Sequence, residues 1–196
     1  MNATPALLIL IAAILTNNIL LTNFIGMCSF LVCSKKFDTA IGLGTAVVFV
    51  TTCTVAINYA VYHHVLVPFR IEHMSFVVFI AVIAAFVQFV EMFVERFSPT
   101  LYYALGIFLP LIAVNCVILA VSLFMVIRTY SFAQSMGFGV GASLGWMLAI
   151  ILMAGLQKRL GYSRVPRPVQ GVAITMILTG VMAMVFMGFA GMVNIQ

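Results

Sequence analysis

Residues 74–94 read MSFVVFIAVIAAFVQFVEMFV, a run with a single carboxylate and none of the alternation of a half-buried strand. It has the length of a helix crossing a hydrocarbon core of roughly 30 Å, for which about 20 residues suffice. Comparable runs lie on either side of it. Only 7% of the 196 residues are charged and 65% are apolar, at a mean hydropathy of +1.26, too few charges to cover a water-facing surface. The solvent for most of this chain is therefore lipid. Polar punctuation at SKKFD, HHVLVPFRIEH, ERFSP, RTYS and KRLGYSRVPRP sets off six spans, near 6–33, 39–62, 74–94, 101–127, 132–157 and 169–193. Long unalternating runs make these helices and not barrel strands, since only those two structures satisfy their backbone in lipid.

The expected fold is thus an all-α integral membrane protein, one transmembrane domain over 1–196. Residues 1–5 carry no Lys or Arg and no cleavage pattern follows, so the first run reads as a retained span. The first, third and fifth connections hold Lys35, Lys36, Arg96, Lys158, Arg159, Arg164 and Arg167, whereas the second and fourth hold Arg70 and Arg128. Basic residues in short loops stay in the cytoplasm, which puts the odd connections there and both termini on the periplasmic side. The net charge of +5 is scattered among these loops and points to no nucleic-acid partner.

Three spans per half send the second half through the membrane in the opposite direction, so resemblance between repeat one (about 1–97) and repeat two (about 98–196) would be an inverted repeat. LTNFIGMCSFL (21–31) aligns with LPLIAVNCVIL (109–119), setting Cys28 over Cys116; GLGTA (42–46) matches GVGAS (139–143) after a connection differing by about nine residues. The first span is long and holds Asn17, Asn18, Asn23 and Gly26, all poor helix formers. The fourth holds Pro110, which removes a backbone donor. Both are expected to break near their cysteines. A straight-helix count puts Cys28 about 10 Å and Cys116 about 20 Å from the cytoplasmic edge, at 1.5 Å per residue, so they meet only if the helices are interrupted.

Cys28, Cys33, Cys53 and Cys116 all lie in or beside apolar runs, which excludes an extracellular disulfide framework. Cys33 and Cys53 read as small packed hydrophobes. For Cys28 and Cys116 two readings stand on the residues alone: packed thiols, or metal ligands. A bare thiolate does not survive in hydrocarbon, but bound iron holds it deprotonated. Iron–sulfur clusters usually take four thiolates, so two more would come from a second polypeptide. Zinc fits the ligand type as well.

At these residues the chain resembles the paired membrane subunits of the sodium-translocating NADH:quinone oxidoreductase and of the related Rnf complex. FIGMCSFLVCSKK, QFVEMFVERFSPTLYYALGIFLPLIAVNC, YSFAQS, GWMLAI and ITMILTGVMAMVFMGFAGM carry the resemblance. GMCSFL, YSFAQS and GWMLAI are nearer the E subunits of the quinone reductase. Ser29 stands where Rnf A subunits tend to have proline, while the short second loop is more Rnf-like. The resemblance implies six helices in inverted repeats in the bacterial inner membrane. It implies a [2Fe-2S] cluster held by Cys28 and Cys116 together with two cysteines of a homologous six-helix subunit. It also implies flavins and NADH on other subunits of the complex, and electron transfer to quinone coupled to sodium transport. The chain has no glycine-rich nucleotide fingerprint of its own.

Asn23, Gly26 and Asn115, beside the cysteines, are candidates to satisfy broken backbone or to tune the cluster. Glu91 reads either as a cation-path residue or as an interfacial anchor beside Arg96. Gly42, Gly44, Gly139, Gly141 and Gly145 permit close helix packing. His63 and His64 read as a solvated interface, and Trp146 lies too deep for the aromatic belt. Two other functions share parts of this pattern: a secondary transporter built from inverted repeats, and a structural membrane scaffold. The orientation is checked by fusion reporters: alkaline phosphatase joined after Gln196 should be active and one joined after Lys36 inactive. The reverse pattern would refute the charge argument.

Overall fold

The computed structural model describes residues 6–34, 37–69, 72–97, 109–161 and 171–188. All regular structure among them is helical: α1 (Ala6–Ile14), α2 (Ile19–Asn23), α3 (Met27–Cys33), α4 (Phe37–Val61), α5 (Ser75–Phe97), α6 (Leu109–Ala113), α7 (Cys116–Ile127), α8 (Phe132–Leu160) and α9 (Val172–Met187). Three helices are long and apolar enough to cross a membrane, Phe37–Phe69, Ser75–Phe93 and Phe132–Leu160; Leu111–Ile127 and Val172–Met187 are shorter apolar helices. Residues 1–5, 35–36, 70–71, 98–108, 162–170 and 189–196 lie outside the described set, and with them both ends of the chain, Lys35, Lys36, Arg70, Arg164, Arg167 and the start of the fourth span.

One boundary differs from expectation. HHVLVPF, read as loop, is helical: α4 continues through a π turn, Tyr62–Leu66, into Val67–Phe69, for 33 residues in all. Nothing in the apolar residues before Pro68 stops a helix, and the π turn has already shifted the hydrogen-bond register where the proline nitrogen can donate nothing.

The antiparallel pair α4 and α8 forms the centre, with Gly44 against Met147, Val55 against Gly139, and the Tyr59 and Phe132 rings edge to face at 5.3 Å. Leu43, Val47, Trp146, Ile150 and Met153 are fully enclosed there. α1 lies along the other side of α8 on Gly137, Gly141 and Gly145, whose spacing of four puts them on one face. A Cβ on these glycines would come within 2.8 Å of the Ala6 carbonyl oxygen, 2.7 Å of that of Leu10 and 3.0 Å of that of Ala13. In lipid, where apolar faces gain nothing by hiding from the solvent, such backbone-to-backbone approach supplies the dispersion contact that holds helices together. α5 buries a single stripe, Phe79, Ile83 and Val87, and turns Phe76, Ile80, Phe89 and Phe93 outward. At the end of α8, Gln157 Nε2 donates to Ser34 Oγ (3.1 Å) and Thr175 Oγ1 (3.0 Å), tying the segment after α3 to α9.

Glycine-to-alanine substitutions separate helix propensity from packing, because propensity alone favours alanine in a helix by about 1 kcal/mol. Gly141→Ala should nonetheless destabilise by about 1–3 kcal/mol, as a methyl forced against the α1 backbone. Gly155→Ala, with open space around it, should be neutral or stabilising. Thermal unfolding in detergent reads both; shifts of the same sign would contradict the α1–α8 seat.

Candidate metal centre

The first span breaks twice. Its first break is set by Asn18, whose extended backbone (φ −64°, ψ 114°) halts one helix and whose Oδ1 accepts the Leu20 N–H at 3.1 Å to start α2. Asn18 is fully buried, and its Nδ2 donates to the Gly145 carbonyl of α8 at 2.8 Å, fixing the break in place. The second break follows at once. Phe24 closes α2 in the left-handed conformation (φ 55°), and Gly26 (φ 93°) opens α3. A side chain at Gly26 is excluded by φ and by space, since a Cβ would overlap Val117 Cγ2 and stand 2.9 Å from Trp146 Nε1.

Among its described residues the fourth span breaks between α6 and α7. Asn115 (φ −73°, ψ 113°) caps α7 as Asn18 caps α2, its Oδ1 accepting the Val117 N–H at 3.2 Å. Asn18 and Asn115 thus make the same cap, Asn18 ten residues before Cys28 and Asn115 directly before Cys116.

These breaks bring the cysteines together. Cys28 is the second residue of α3, Cys116 the first of α7, and their sulfurs are 3.4 Å apart. Each sits in a first helical turn, where N–H groups lack intrahelical partners and the peptide dipoles favour negative charge. Both thiols are free and exposed. Their surroundings on that face are apolar, with Phe24 53% and Val114 71% exposed. Cys33 is buried and Cys53 half-buried, as packed hydrophobes are.

The separation is informative. A disulfide needs about 2.05 Å between sulfurs. Two thiolates bound tetrahedrally to one metal at about 2.3 Å stand about 3.8 Å apart. At 3.4 Å the pair fits two ligands of one metal with little adjustment. Two buried N–H donors next to it, Asn115 Nδ2 and Trp146 Nε1, have no partner among the described residues. Soft sulfur ligands suit iron–sulfur chemistry. Among the described residues no group of three or more His, Cys, Asp and Glu converges.

Of the other residues singled out from the sequence, Gly26 and Asn115 border the sulfurs, while Asn23 is exposed at the end of α2. Glu91 is part-buried on α5, with Glu95 and Arg96 exposed one turn on. His63 and His64 lie on the π turn, His64 Nδ1 against the Ala60 carbonyl at 3.1 Å. Sequence reasoning passed over Asn18 as a cap and Trp146 as a neighbour of the site. The available signal was spacing: the 97 residues from Asn18 to Asn115 also separate Gly42 from Gly139 and Gly44 from Gly141. Since the sulfurs need close by only about 1.4 Å to bond, mild copper-catalysed oxidation of the cofactor-free chain should join Cys28 to Cys116. Peptide mass spectrometry checks this, and cross-links through Cys33 or Cys53 would contradict the geometry.

Known proteins resemble the chain along nearly its whole length. The family model described as "Rnf-Nqr subunit, membrane protein" matches residues 6–193. The E subunit of the Na(+)-translocating NADH-quinone reductase of Dichelobacter nodosus is 49% identical over 93% of this chain and 96% of its own. The A subunit of the ion-translocating oxidoreductase complex of Tolumonas auensis is 45% identical over 96% and 98%. The A subunit of the Na(+)-translocating ferredoxin:NAD(+) oxidoreductase complex of Acetobacterium woodii is 45% identical over 94% and 96%. The helices and the bacterial relatives place the protein, multi-pass, in the bacterial inner membrane. With a family match over nearly its whole length and relatives this similar, the chain belongs to the Rnf-Nqr family of membrane subunits.

Proposed function

We propose that this chain is an electron-carrying membrane subunit of a sodium-translocating NADH:quinone oxidoreductase, holding half of a [2Fe-2S] cluster through Cys28 and Cys116. The observation that carries the reading is the pair of sulfurs 3.4 Å apart on an exposed face, each in the first turn of a half-helix. Such a cluster supplies one-electron transfer midway between redox groups too far apart to exchange electrons directly. The chain's own part is to hold two thiolates where N–H groups and helix dipoles stabilise their charge, with Gly26 and Asn115 fixing the two helix starts. The exposed side of the sulfurs faces a homologous six-helix subunit that brings two further cysteines. NADH and flavins belong to other subunits of the complex.

In the full topology we infer six spans in two inverted repeats, both termini periplasmic, with the repeats in the register of Asn18 on Asn115. In that register Ile19 stands in the place of Cys116, so the two cysteines come from non-equivalent positions. The helix that runs unbroken as α7 in the second repeat is split into α2 and α3 in the first, and this extra break swings Cys28 toward Cys116. The ferredoxin:NAD(+) reading is the alternative, favoured by relatives at 44–45% identity named for ion-translocating or ferredoxin complexes. Substrate assays of the intact complex separate the two.

Co-purification with the homologous subunit followed by EPR after reduction tests the proposal. A [2Fe-2S] signal should appear in the wild type and vanish in Cys28→Ser and in Cys116→Ser. A signal that persists in either variant, or none in the wild-type complex, would refute it.

A further inference from the structure

Four buried polar side-chain atoms have no partner among the described residues, and two of them are nitrogens, Asn115 Nδ2 and Trp146 Nε1. Both belong to residues that touch the starts of the cysteine-bearing helices: Asn115 caps α7 next to Cys116, and the Trp146 indole lies against Gly26, which opens α3. Burying an N–H without an acceptor is destabilising, and a buried tryptophan N–H normally finds one.

The molecule contains its own comparison. Asn18 and Asn115 have nearly the same backbone conformation and the same capping bond. Asn18 goes on to donate its amide to the Gly145 carbonyl at 2.8 Å. The residue 97 positions before Gly145 is Val48, whose carbonyl instead accepts the Thr52 hydroxyl at 2.8 Å. Asn115 therefore caps its helix as Asn18 does but keeps its donor unspent. Both donors sit on residues that border the helix starts carrying Cys28 and Cys116.

We propose that Asn115 Nδ2 and Trp146 Nε1 are hydrogen-bond donors to sulfur atoms of the centre that Cys28 and Cys116 hold, and that they raise its reduction potential. This rests on the proposed function. The electron adds negative charge to the sulfurs, so N–H donors aimed at them stabilise the reduced form over the oxidised one. Removing a donor makes the potential more negative.

The test uses the complex purified with its homologous subunit. Redox titration followed by EPR compares the wild type with Asn115→Ser, which retains an oxygen to cap α7, and with Trp146→Phe, which deletes the N–H and keeps an aromatic ring. Each variant should retain the [2Fe-2S] signal and show a more negative midpoint. An unchanged midpoint overturns the assignment of that residue, since a purely packing role leaves the potential where it was. Should a variant lose the cluster, pulsed EPR on unsubstituted protein decides. With 15N at the asparagine side-chain amide or at the tryptophan indole, the reduced centre should couple to that nucleus, and absence of coupling overturns that donor. Absence of any iron–sulfur signal in the wild type would instead refute the proposed function, and this inference with it.

Discussion

In hydrocarbon a backbone N–H or C=O has nothing to bond to except protein, and each break in a spanning helix must be satisfied by a named neighbour. Everything distinctive in this chain follows from how its breaks are satisfied. Asn18 covers one freed N–H with its own Oδ1 and fastens the break to the Gly145 carbonyl. That bond is possible because Gly137, Gly141 and Gly145 let α1 lie on α8 at backbone distance. Substituting larger residues there would push the asparagine out of reach of its acceptor. The glycine stripe and the broken helix are thus one device, the first giving the depth at which the second can be held.

The two halves use the same capping bond to different ends. At Asn115 the cap is followed directly by Cys116 and an unbroken α7, whereas at Asn18 the cap starts a five-residue helix that stops again at Phe24. The second stop requires left-handed backbone at Phe24, uncommon for a residue with a side chain, and at Gly26, where no side chain fits. Such local strain persists where the surroundings over-determine it. Here Val117 and Trp146 hem in Gly26, two residues before Cys28. With the first span stopped at Phe24 and Gly26 and the fourth at Asn115, the two sulfurs stand 3.4 Å apart.

Hydropathy made three spans legible, Phe37–Phe69, Ser75–Phe93 and Phe132–Leu160, because a membrane sets a minimum length for an apolar helix, and the clustering of Asn23, Gly26 and Cys28 marked the first apolar run as irregular. Two things stayed hidden. Asn17 and Asn18 look alike as poor helix formers, and only the structure shows that Asn18 is buried as a cap while Asn17 sits in the preceding turn, its N–H on the Ala12 carbonyl at 2.7 Å. The caps Asn18 and Asn115 and the glycine pairs Gly42 and Gly139, Gly44 and Gly141 share an interval of 97, whereas Cys28 and Cys116 are 88 apart. The neighbours that force Gly26 to be glycine come from α7 and α8, at separations no local pattern records. The loop read at HHVLVPF failed for the opposite reason: two histidines and a proline suggested water, but the apolar residues between them continue a helix across a π turn.

The exposure of the sulfurs completes the physical picture. As thiols, Cys28 and Cys116 could face lipid at little cost; as thiolates they could not, because an anion in that environment needs positive charge beside it. The half-helix starts supply partial positive charge from one side only, since both lie within this chain. The other side of the pair opens onto a face with Phe24 and Val114, and on the proposed function it is closed by a homologous subunit bearing the remaining ligands. Neither protein then holds a complete centre alone. On the proposed function, the route for electrons comes into being with assembly.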